Sequence, residues 1–464
     1  MFDKLSEKNI WVSSTADDNG NGSFENPYSK IKTALDNAKA GSNIVLFSGI
    51  YDEKLVISDI GGTIEEPIII TTFEQNFEKV ISRSEWYFYS ASDFVIKGIT
   101  FENTTNSAIS MVGESQRNSI KDCEFSECGE VAECAIFFGG SGGDCNVVEN
   151  CRFTAPKDAK NHIAIMISQS IDNEDDTILN SRNTSVRFCE FNDCKAAIVI
   201  GSDENISGLF GEHEISDNLF ENCDCGIKIK ISGTQICGNI FRNCKNGIEN
   251  IFGYENEIFE NRFENCEKAI SVLCDDLTIK ENCFVYSAVS IETKNKNSED
   301  EEESLPILIC ENTFIGVEIA AAGDGDITTF ITKNIFYDCK ISDNKNTVEK
   351  DNKNVSKNEF SDFANGDFST NTNYGCSSGA ENRLEIEEIP MVDIAKMFEL
   401  QEKEIDSRSD KKLSDETIEE RDLFLKTMYF QDENEEDEIE VEAMPIGEKS
   451  YLREIGVDGE LEDN

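Results

Sequence analysis

The sequence predicts an all-β protein whose core is a parallel β-helix solenoid of about 11 or more coils. The motif N-I-F-R-N-C-K-N-G-I begins at Asn239 and returns as N-R-F-E-N-C-E-K-A-I at Asn261, 22 residues later. Short alternating apolar runs, such as I-x-I, lie between turn residues and are typical of β-strands. Leucine-rich repeats need an L-x-x-L-x-L motif that this chain lacks, and helical repeats are longer, so three short strands per coil fit best.

A column of phenylalanines sets the period of this repeat. The motif phenylalanine recurs at Phe101, Phe125, Phe153, Phe191, Phe220, Phe241, Phe263, Phe284, Phe314, Phe336 and Phe360. Most consecutive spacings are 21 to 24 residues, and four longer ones carry insertions. Because residues at one offset stack on each other in a solenoid, we expect these rings to fill the interior.

Three other positions recur at fixed offsets from the motif phenylalanine. Two residues before it lie Cys123, Cys151, Cys189, Asn218, Asn239, Asn261, Asn282, Asn312, Asn334 and Asn358. Three residues after it lie Cys128, Cys194, Cys223, Cys244, Cys266 and Cys339. Seven residues after it lie Ile198, Ile227, Ile248, Ile270 and Ile291. We expect stacked asparagines to bond to each other and to backbone groups at a turn, and the cysteines to fill a tight interior corner as small apolar groups.

The pattern predicts three regions. Residues 1–45 contain a first strand and a helix over Ser29–Gly41 that caps the solenoid, whose first coil would otherwise be open. Residues 46–377 form the β-helix. Residues 378–464 are an acidic, partly helical C-terminal extension, with helices at Met391–Ile405 and after Ser414 and a mobile acidic run over Asp432–Glu442. From Asn382 onwards there are 28 acidic and 10 basic residues, a net charge of −18.

Charge and cysteine content limit the possible partners and location. The formal net charge is −51, so we expect no nucleic acid and no anionic membrane as partner. The sequence has no run long and apolar enough to span a membrane. It has 17 cysteines and no apolar leader segment, which favours a cytoplasmic protein, or one assembled from the cytoplasm such as a virion component.

The opening segment resembles a known superfamily. The stretch WVSSTADDNGNGSFENPYSKIKTALDNAKAGSNIVLFSGIY, with PIIITT after it, resembles the N-terminal region of the pectate-lyase-like right-handed β-helix superfamily, and most closely polysaccharide lyase family six, the alginate lyase and chondroitinase B group. The likeness covers roughly residues 10 to 375. It implies a right-handed β-helix that acts on an acidic polysaccharide.

The resemblance also implies where catalysis would occur. Lyases of this family bind Ca²⁺ through an acid-x-acid pair, use a lysine as the base and take an arginine from an Arg-His-Gly segment one coil later. In this chain Lys230 occupies the lysine position, but Cys223 and Cys225 occupy the acid positions and Ile251-Phe252-Gly253 the Arg-His-Gly segment. We therefore expect the lyase machinery to be largely absent, and a solvated lysine is the ordinary interpretation of Lys230.

The sequence offers further candidate residues outside the family positions. His213 lies between two glutamates in an insertion, and Asp324 and Asp326 could form the carboxylate pair of a glycoside hydrolase, although such pairs arise by chance in an acidic chain. The acidic insertion Ser170–Arg182 is a possible weak Ca²⁺ site, with ligands at Asn173, Asp175 and Asp176.

These observations favour a lyase-derived β-helix that has lost lyase chemistry and acts by binding, with a glycan as ligand. If it is an enzyme, it is a polysaccharide lyase or glycoside hydrolase. One alternative is a non-enzymatic scaffold whose acidic C-terminal arm docks on the rod or on another chain. A second alternative is a viral tail or spike β-helix.

Overall fold

The computed structural model describes residues 8–370 except the segments 74–78, 130–133, 140–142, 156–161, 172–177, 202–209, 273–275, 292–305, 322–327 and 342–346. The described chain is a right-handed parallel β-helix, as predicted. Each complete coil contributes one strand to each of three parallel sheets, here named A, B and C in the order in which the chain visits them. No helix within the described ranges is long and apolar enough to cross a membrane.

The described strands of sheet A are Asn9–Val12, Asn43–Leu46, Ile68–Thr72, Phe94–Lys97, Ser119–Lys121, Val147–Glu149, Ser185–Arg187, Glu214–Ser216, Gln235–Cys237, Asn256–Phe259, Leu277–Lys280, Ile307–Cys310, Thr329–Thr332 and Thr347–Lys350. Those of sheet B are Gly49–Tyr51, Val80–Ser82, Thr100–Glu102, Glu124–Ser126, Arg152–Thr154, Glu190–Asn192, Leu219–Glu221, Ile240–Arg242, Arg262–Glu264, Cys283–Val285, Thr313–Ile315, Ile335–Tyr337 and Lys353–Asn354. Those of sheet C are Leu55–Ser58, Trp86–Tyr89, Ile109–Val112, Cys134–Phe138, Ile163–Ile167, Ala196–Ile200, Cys225–Lys230, Asn246–Phe252, Lys268–Val272, Ala288–Ile291, Glu318–Ala321 and Lys340–Ile341.

Two antiparallel hairpins lie outside these sheets. They pair Gln169–Ile171 with Ile178–Asn180 and Phe360–Asp362 with Asp367–Thr370. The described helices are an α-helix at Ile31–Asp36 and 3-10 turns at Lys357–Glu359 and Phe363–Asn365.

The phenylalanine column fills the interior, as the repeat predicts. Ten rings from Phe101 to Phe336 are buried and stacked, and the centroids of Phe241 and Phe263 lie 4.7 Å apart at an interplanar angle of 6°. This separation equals the distance between hydrogen-bonded strands, so the in-register pairing of consecutive coils sets the ring spacing. A residue in the left-handed backbone region turns the chain at most described corners between A and B and between B and C, for example Asp217 and Asn222.

Two positions of the predicted phenylalanine and isoleucine columns are wrong. Phe360 is not an interior ring, because the chain folds back after Val355 and packs Phe360 and Phe368 on the outer face of sheet B, against Ile315 and Ile335. The predicted eleventh ring therefore belongs to a cover over the last coils. In sheet C, Ile270 pairs with Val289 rather than Ile291, because the pairing slips at the start of that strand.

The asparagine column forms a continuous ladder at the corner between sheets A and B. Its last rung is Asn352, whose Oδ1 accepts from Asn334, and the predicted Asn358 lies in the 3-10 turn beyond it. In earlier coils the same corner holds Cys123, Cys151 and Cys189, and the backbone N–H of Cys189 donates to Asn218 Oδ1 over 2.9 Å. The ladder satisfies backbone groups that the corner leaves out of the sheets.

The helical cap is shorter than predicted. The α-helix spans Ile31–Asp36 and buries Ile31, Ala34 and Leu35 on the first coil. Its N-terminus has no side-chain cap of its own, but the Glu53 carboxylate accepts from the N–H groups of Ile31 and Lys32. A carboxylate at this position also favours the helix dipole.

Candidate functional site

The outward face of sheet C brings two lysines and a glutamate together. Along Cys225–Lys230 the side chains of Ile227 and Ile229 point into the core, so Lys228 and Lys230 point outward. Lys228 pairs with Glu249 of the next coil, with 3.8 Å between Nζ and Oε2. The side chains of Lys228 and Glu249 are 31% and 27% exposed, so this ion pair is partly shielded but reachable.

Lys230 is half-buried, rather than fully solvated. Burial lowers the pKa of its ammonium from the ordinary value, and the nearby Glu249 carboxylate opposes this shift. The backbone of Gly201, in the preceding coil, passes close to it: a side chain there would lie 2.8 Å from the Lys230 carbonyl oxygen, and φ of Gly201 is +89°. Any larger residue at position 201 would clash with the Lys230 backbone and would be strained at this φ, so the position requires glycine.

The positions that would hold Ca²⁺ do not fit that ion. Cys223 is buried in the corner between sheets B and C, in the same column as Cys194 and Cys244. Cys225 is also buried, and burial raises the pKa of its thiol to about 12. Ca²⁺ needs several oxygen ligands, and buried neutral thiols supply none. In sheet C, Lys230 pairs with Phe252 of the next coil.

An apolar and aromatic stripe continues from Lys228 along the same face. The outward positions that share its register are Val56, Tyr87, Ser110, Phe137, Met166 and Val199. Val56 and the neighbouring Tyr89 are 56% and 50% exposed. Five coils separate Tyr87 from Lys228, which is about 24 Å at about 4.8 Å per coil. We call this face the track: Val56 is exposed and apolar at one end, Phe137 and Val199 are buried in between, and the charged pair lies at the other end.

His213 lies in the interior, at the corner between sheets C and A. Its Nδ1 accepts a hydrogen bond from the Thr184 N–H over 3.2 Å, while its buried Nε2 has no partner among the described residues. Burial lowers the pKa of the ring to about 4, so the imidazole is neutral. Two coils later, Asn256 Oδ1 accepts the equivalent hydrogen bond from the Thr234 N–H. His213 therefore has a structural role at this corner, as an acceptor for a backbone N–H. A catalytic role for His213 stays a prediction, and burial argues against it.

The remaining candidates cannot be placed. Asp324 and Asp326, and the Ca²⁺ ligands at Asn173, Asp175 and Asp176, lie outside the described residues. Within the described ranges no group of three or more His, Cys, Asp or Glu side chains could hold a metal ion.

Sequence reasoning missed the Lys228–Glu249 pair and the tyrosines of the stripe. Lys228 and Glu249 each follow the motif phenylalanine of their coil by eight residues, so the repeat alone could have predicted that they lie side by side. The tyrosines precede the first clear repeat, and only the pairing of Trp86–Tyr89 with Ile109–Val112 places them on this face.

Comparisons with known proteins agree with the fold. A family model described as "Periplasmic copper-binding protein (NosD)" matches residues 157–361, less than half of the chain. No curated protein sequence matches the chain.

Solved structures with the same fold include several lyases. The PL6 family alginate lyase AlyGC matches with a TM-score of 0.61 and 15% identity over 76% of this chain, which corresponds to 56% of that lyase. This chain thus spans little more than half of that enzyme's length. The PL6 family polysaccharide lyase Pedsa3628 from Pseudopedobacter saltans matches with a TM-score of 0.56 and 17% identity, over 75% of this chain and 96% of that one. A mannuronic acid specific family 6 lyase from human gut microbiota matches with a TM-score of 0.53 and 17% identity, over 69% and 82% of the two chains.

The expected cytoplasmic location is wrong. The matching family model describes periplasmic proteins, which points to a location outside the cytoplasm. The cysteine argument fails for a physical reason: most of the free thiols that the structure describes are buried in the corners, so their reduced state needs no reducing compartment.

The three parallel sheets, the capping helix and the likeness to family-six lyases together show that this chain has the pectate-lyase-like right-handed parallel β-helix fold.

Proposed function

We propose that this protein binds a glycan along the outward face of sheet C and has lost lyase activity. One observation carries the proposal: Lys228, Lys230 and Glu249 form a partly shielded donor and acceptor group on this face, in line with an aromatic stripe. Sugar-binding sites need polar groups that fix orientation beside apolar surface that covers the ring carbons, and this track offers both.

The charges of the group favour a particular class of glycan. The ammonium groups donate to sugar hydroxyls, and the Glu249 carboxylate accepts from them. Because Lys228 and Glu249 neutralise each other, the track attracts a polyanion only weakly, and the chain's net charge of −51 repels one. We therefore favour a neutral or sparsely charged glycan.

The loss of lyase chemistry follows from the acid positions. Abstraction of a proton next to a carboxylate requires that the carboxylate be neutralised, which a metal ion does in family-six lyases. Lys230 has the lowered pKa that a base needs, but Cys223 and Cys225 cannot hold the ion. We therefore expect Lys230 to be a base that lacks the metal ion needed to acidify the substrate proton, so that no elimination occurs.

Copper is not the ligand that we favour. The NosD description suggests it, but the described histidines, His162 and His213, are buried in separate corners and form no metal group with other residues of the described ranges.

The test is binding and turnover on a glycan panel. The full-length protein is run by affinity electrophoresis through gels that contain alginate, chondroitin, pectate or neutral glycans, with and without Ca²⁺, and unsaturated product is followed by ultraviolet absorbance. We expect retention by at least one neutral glycan and no product on any. Product that vanishes in Lys230→Ala would show an active lyase, and no retention on any glycan would reject the proposal.

Matched variants test whether the glycan binds on the outward face of sheet C. Lys228→Ala and Tyr89→Ala should each weaken retention about tenfold or more, since each removes a charged hydrogen bond or a stacking surface. Lys333→Ala, at the corner between sheets A and B, removes an ion-paired surface lysine that is 52% exposed and should leave retention unchanged. Equal losses in all three variants would indicate a non-specific effect.

The scaffold with an acidic arm is the second candidate. The net charge of −18 over residues 382–464 favours it, because such a segment can bind a basic protein surface. The gel assay separates the two candidates, since a pure scaffold is retained by no glycan.

A further inference from the structure

The outer face of sheet B changes from charged to apolar along the rod. In the middle coils its outward positions include Glu190, Glu221 and Arg242. In the last coils the same two outward columns hold mostly apolar side chains, namely Cys283, Val285, Ile315, Ile335 and Tyr337. Cys283, Ile315 and Ile335 are nevertheless 0% exposed. An outward apolar patch that is this deeply buried needs a cover from outside the three sheets.

The fold-back hairpin provides this cover. Phe360 and Phe368 form one apolar cluster with the patch, and this cluster is separate from the core inside the rod. The ring of Tyr337 lies 5.9 Å from that of Phe360 and 5.2 Å from that of Phe363, measured between centroids. The two hairpin strands pair with each other and, within the described part of the chain, with no strand of sheets A, B or C. The hairpin is therefore attached without the backbone ladder that holds each coil to the next.

Arg262 links the hairpin to the rod. It lies on sheet B one coil before Cys283, and its side chain is only 15% exposed. Its guanidinium donates to the Gly366 carbonyl oxygen over 3.1 Å and lies 5.2 Å from the centroid of the Phe368 ring. Glu264 accepts from Arg262 over 2.6 Å and so fixes the orientation of the guanidinium. One side chain thus supplies both a charged hydrogen bond and a cation–π contact to the hairpin.

The outward side of the hairpin makes polar contacts of its own. Ser369 Oγ lies 2.6 Å from Asp367 Oδ1 and 2.8 Å from Ser361 Oγ. At the turn, Asp362 Oδ1 accepts from the Asn365 N–H over 3.3 Å. Because both partners of each bond belong to the hairpin, its release from sheet B breaks none of these bonds.

We propose that this hairpin, residues 356–370, is a latch that opens and closes on sheet B while the rod stays folded, and that Arg262 holds it closed. Segments with few apolar contacts, outside the main hydrogen-bonded ladders, open locally at a lower free energy than the whole protein unfolds. The open state presents Cys283, Ile315 and Ile335 on the surface of sheet B. The glycan track lies on sheet C, so each of the two proposals can be rejected without the other.

Thiol labelling of the full-length protein tests the latch. Cys283 lies under the latch, whereas Cys266 lies in the core of the rod one coil earlier, so the two thiols report on different openings. Labelling by iodoacetamide near pH 8 is timed by peptide mass spectrometry, and each rate is divided by the rate in denatured protein. We expect Cys283 to be labelled about tenfold or more faster than Cys266, because opening of the latch is enough to expose it.

Two variants weaken the latch from its two sides. Arg262→Ala removes the link from the rod, and Phe368→Ala removes an apolar contact from the hairpin. Each should raise the rate at Cys283 about tenfold or more and leave the rate at Cys266 unchanged. In Arg262→Ala the Glu264 carboxylate keeps Arg242 as its partner, so the variant leaves no unpaired charge.

Arg152→Ala is the matched control. It removes an ion-paired arginine from the same outward column of sheet B, four coils before Arg262, and should be labelled like the wild type. Phe368→Ala keeps the test valid if Arg262→Ala fails to fold, because it changes only the hairpin.

The rates decide the proposal. Labelling of Cys283 in step with Cys266 would overturn it, since the patch would then open only when the rod unfolds. An unchanged Cys283 rate in Phe368→Ala would likewise reject the latch, and an unchanged rate in Arg262→Ala would reject the role of Arg262.

Discussion

The side chains of Asn239 and Asn261 are hydrogen-bonded to each other inside the rod. Asn261 Oδ1 accepts both from Asn239 Nδ2 and from the Asn239 backbone N–H, each over 3.0 Å, and both residues are fully buried. Asn261 Nδ2 donates in turn to the carbonyl oxygens of Ile236 and Phe259. One side-chain amide thus bonds to three backbone groups and one neighbouring amide at the corner between sheets A and B.

Replacement of Asn261 by Ala should therefore destabilise the rod strongly. It leaves buried backbone donors and acceptors unpaired, at about 1–3 kcal/mol each, so we expect a loss of about 3 kcal/mol or more in the free energy of unfolding. Urea denaturation followed by circular dichroism measures this loss. Asn352→Ala, at the half-buried last rung, is the control with the smaller expected effect. Equal losses at the two sites would show that the ladder's interior position does not matter.

The phenylalanine stack predicts a second large effect. Phe241 is fully buried and lies 4.7 Å from both Phe220 and Phe263. Phe241→Ala should cost about 3–5 kcal/mol, because it removes apolar contacts and leaves a cavity between two rings. Phe210→Ala, at a 41% exposed position, should change stability by less than about 1 kcal/mol. Thermal unfolding of both variants would measure the difference, and a tolerant Phe241→Ala would mean that the neighbouring rings collapse into the gap.

His213 predicts a pH dependence of stability. Its pKa in the folded chain is about 4, below the ordinary value of about 6.5, so the unfolded chain binds its proton more readily. The stabilisation from neutral His213 is thus fully present above pH 6.5 and is lost as the pH falls toward 4, by roughly 3 kcal/mol in all.

His213→Asn isolates this term. The corner accepts Asn at Asn118, Asn146 and Asn256, where Oδ1 receives the same kind of backbone hydrogen bond. Near pH 7.5 the variant should unfold at about the wild-type temperature, and near pH 4.5 it should be the more stable protein. The many carboxylates titrate in both proteins, so the difference between the two curves reports on residue 213. A constant difference across this pH range would contradict the assignment.

The thiols should differ sharply in reactivity. Cys223 is buried in its corner column, where hydrogen bonds with neighbouring thiols and burial raise its pKa, whereas Cys237 lies outward on sheet A and is partly exposed. Because the thiolate is the reactive species, iodoacetamide near pH 8 should label Cys237 in the folded protein and Cys223 only after denaturation. Peptide mass spectrometry measures both sites in one experiment, and early labelling of Cys223 would mean that this corner opens.

The local repeat is enough to predict the solenoid and its interior. Phe241, Phe263, Asn239 and Asn261 recur at fixed offsets, and identical offsets can only stack when each coil pairs in register with the next. The interior was therefore predictable from one local repeat, without knowledge of any long-range contact.

Where the repeat stops, and which side chains meet outside it, depends on contacts between distant parts of the chain. Phe360 keeps the period but leaves the column, because a fold-back onto sheet B buries it with Phe368 instead. His213 reads as a loop residue, and the corner geometry places it inside. Lys228 and Glu249 are 21 residues apart in sequence, and they become partners because sheet C aligns their coils and both side chains point outward. Burial and pairing of this kind depend on corner lengths and on segments that return to the rod, which a local pattern does not encode.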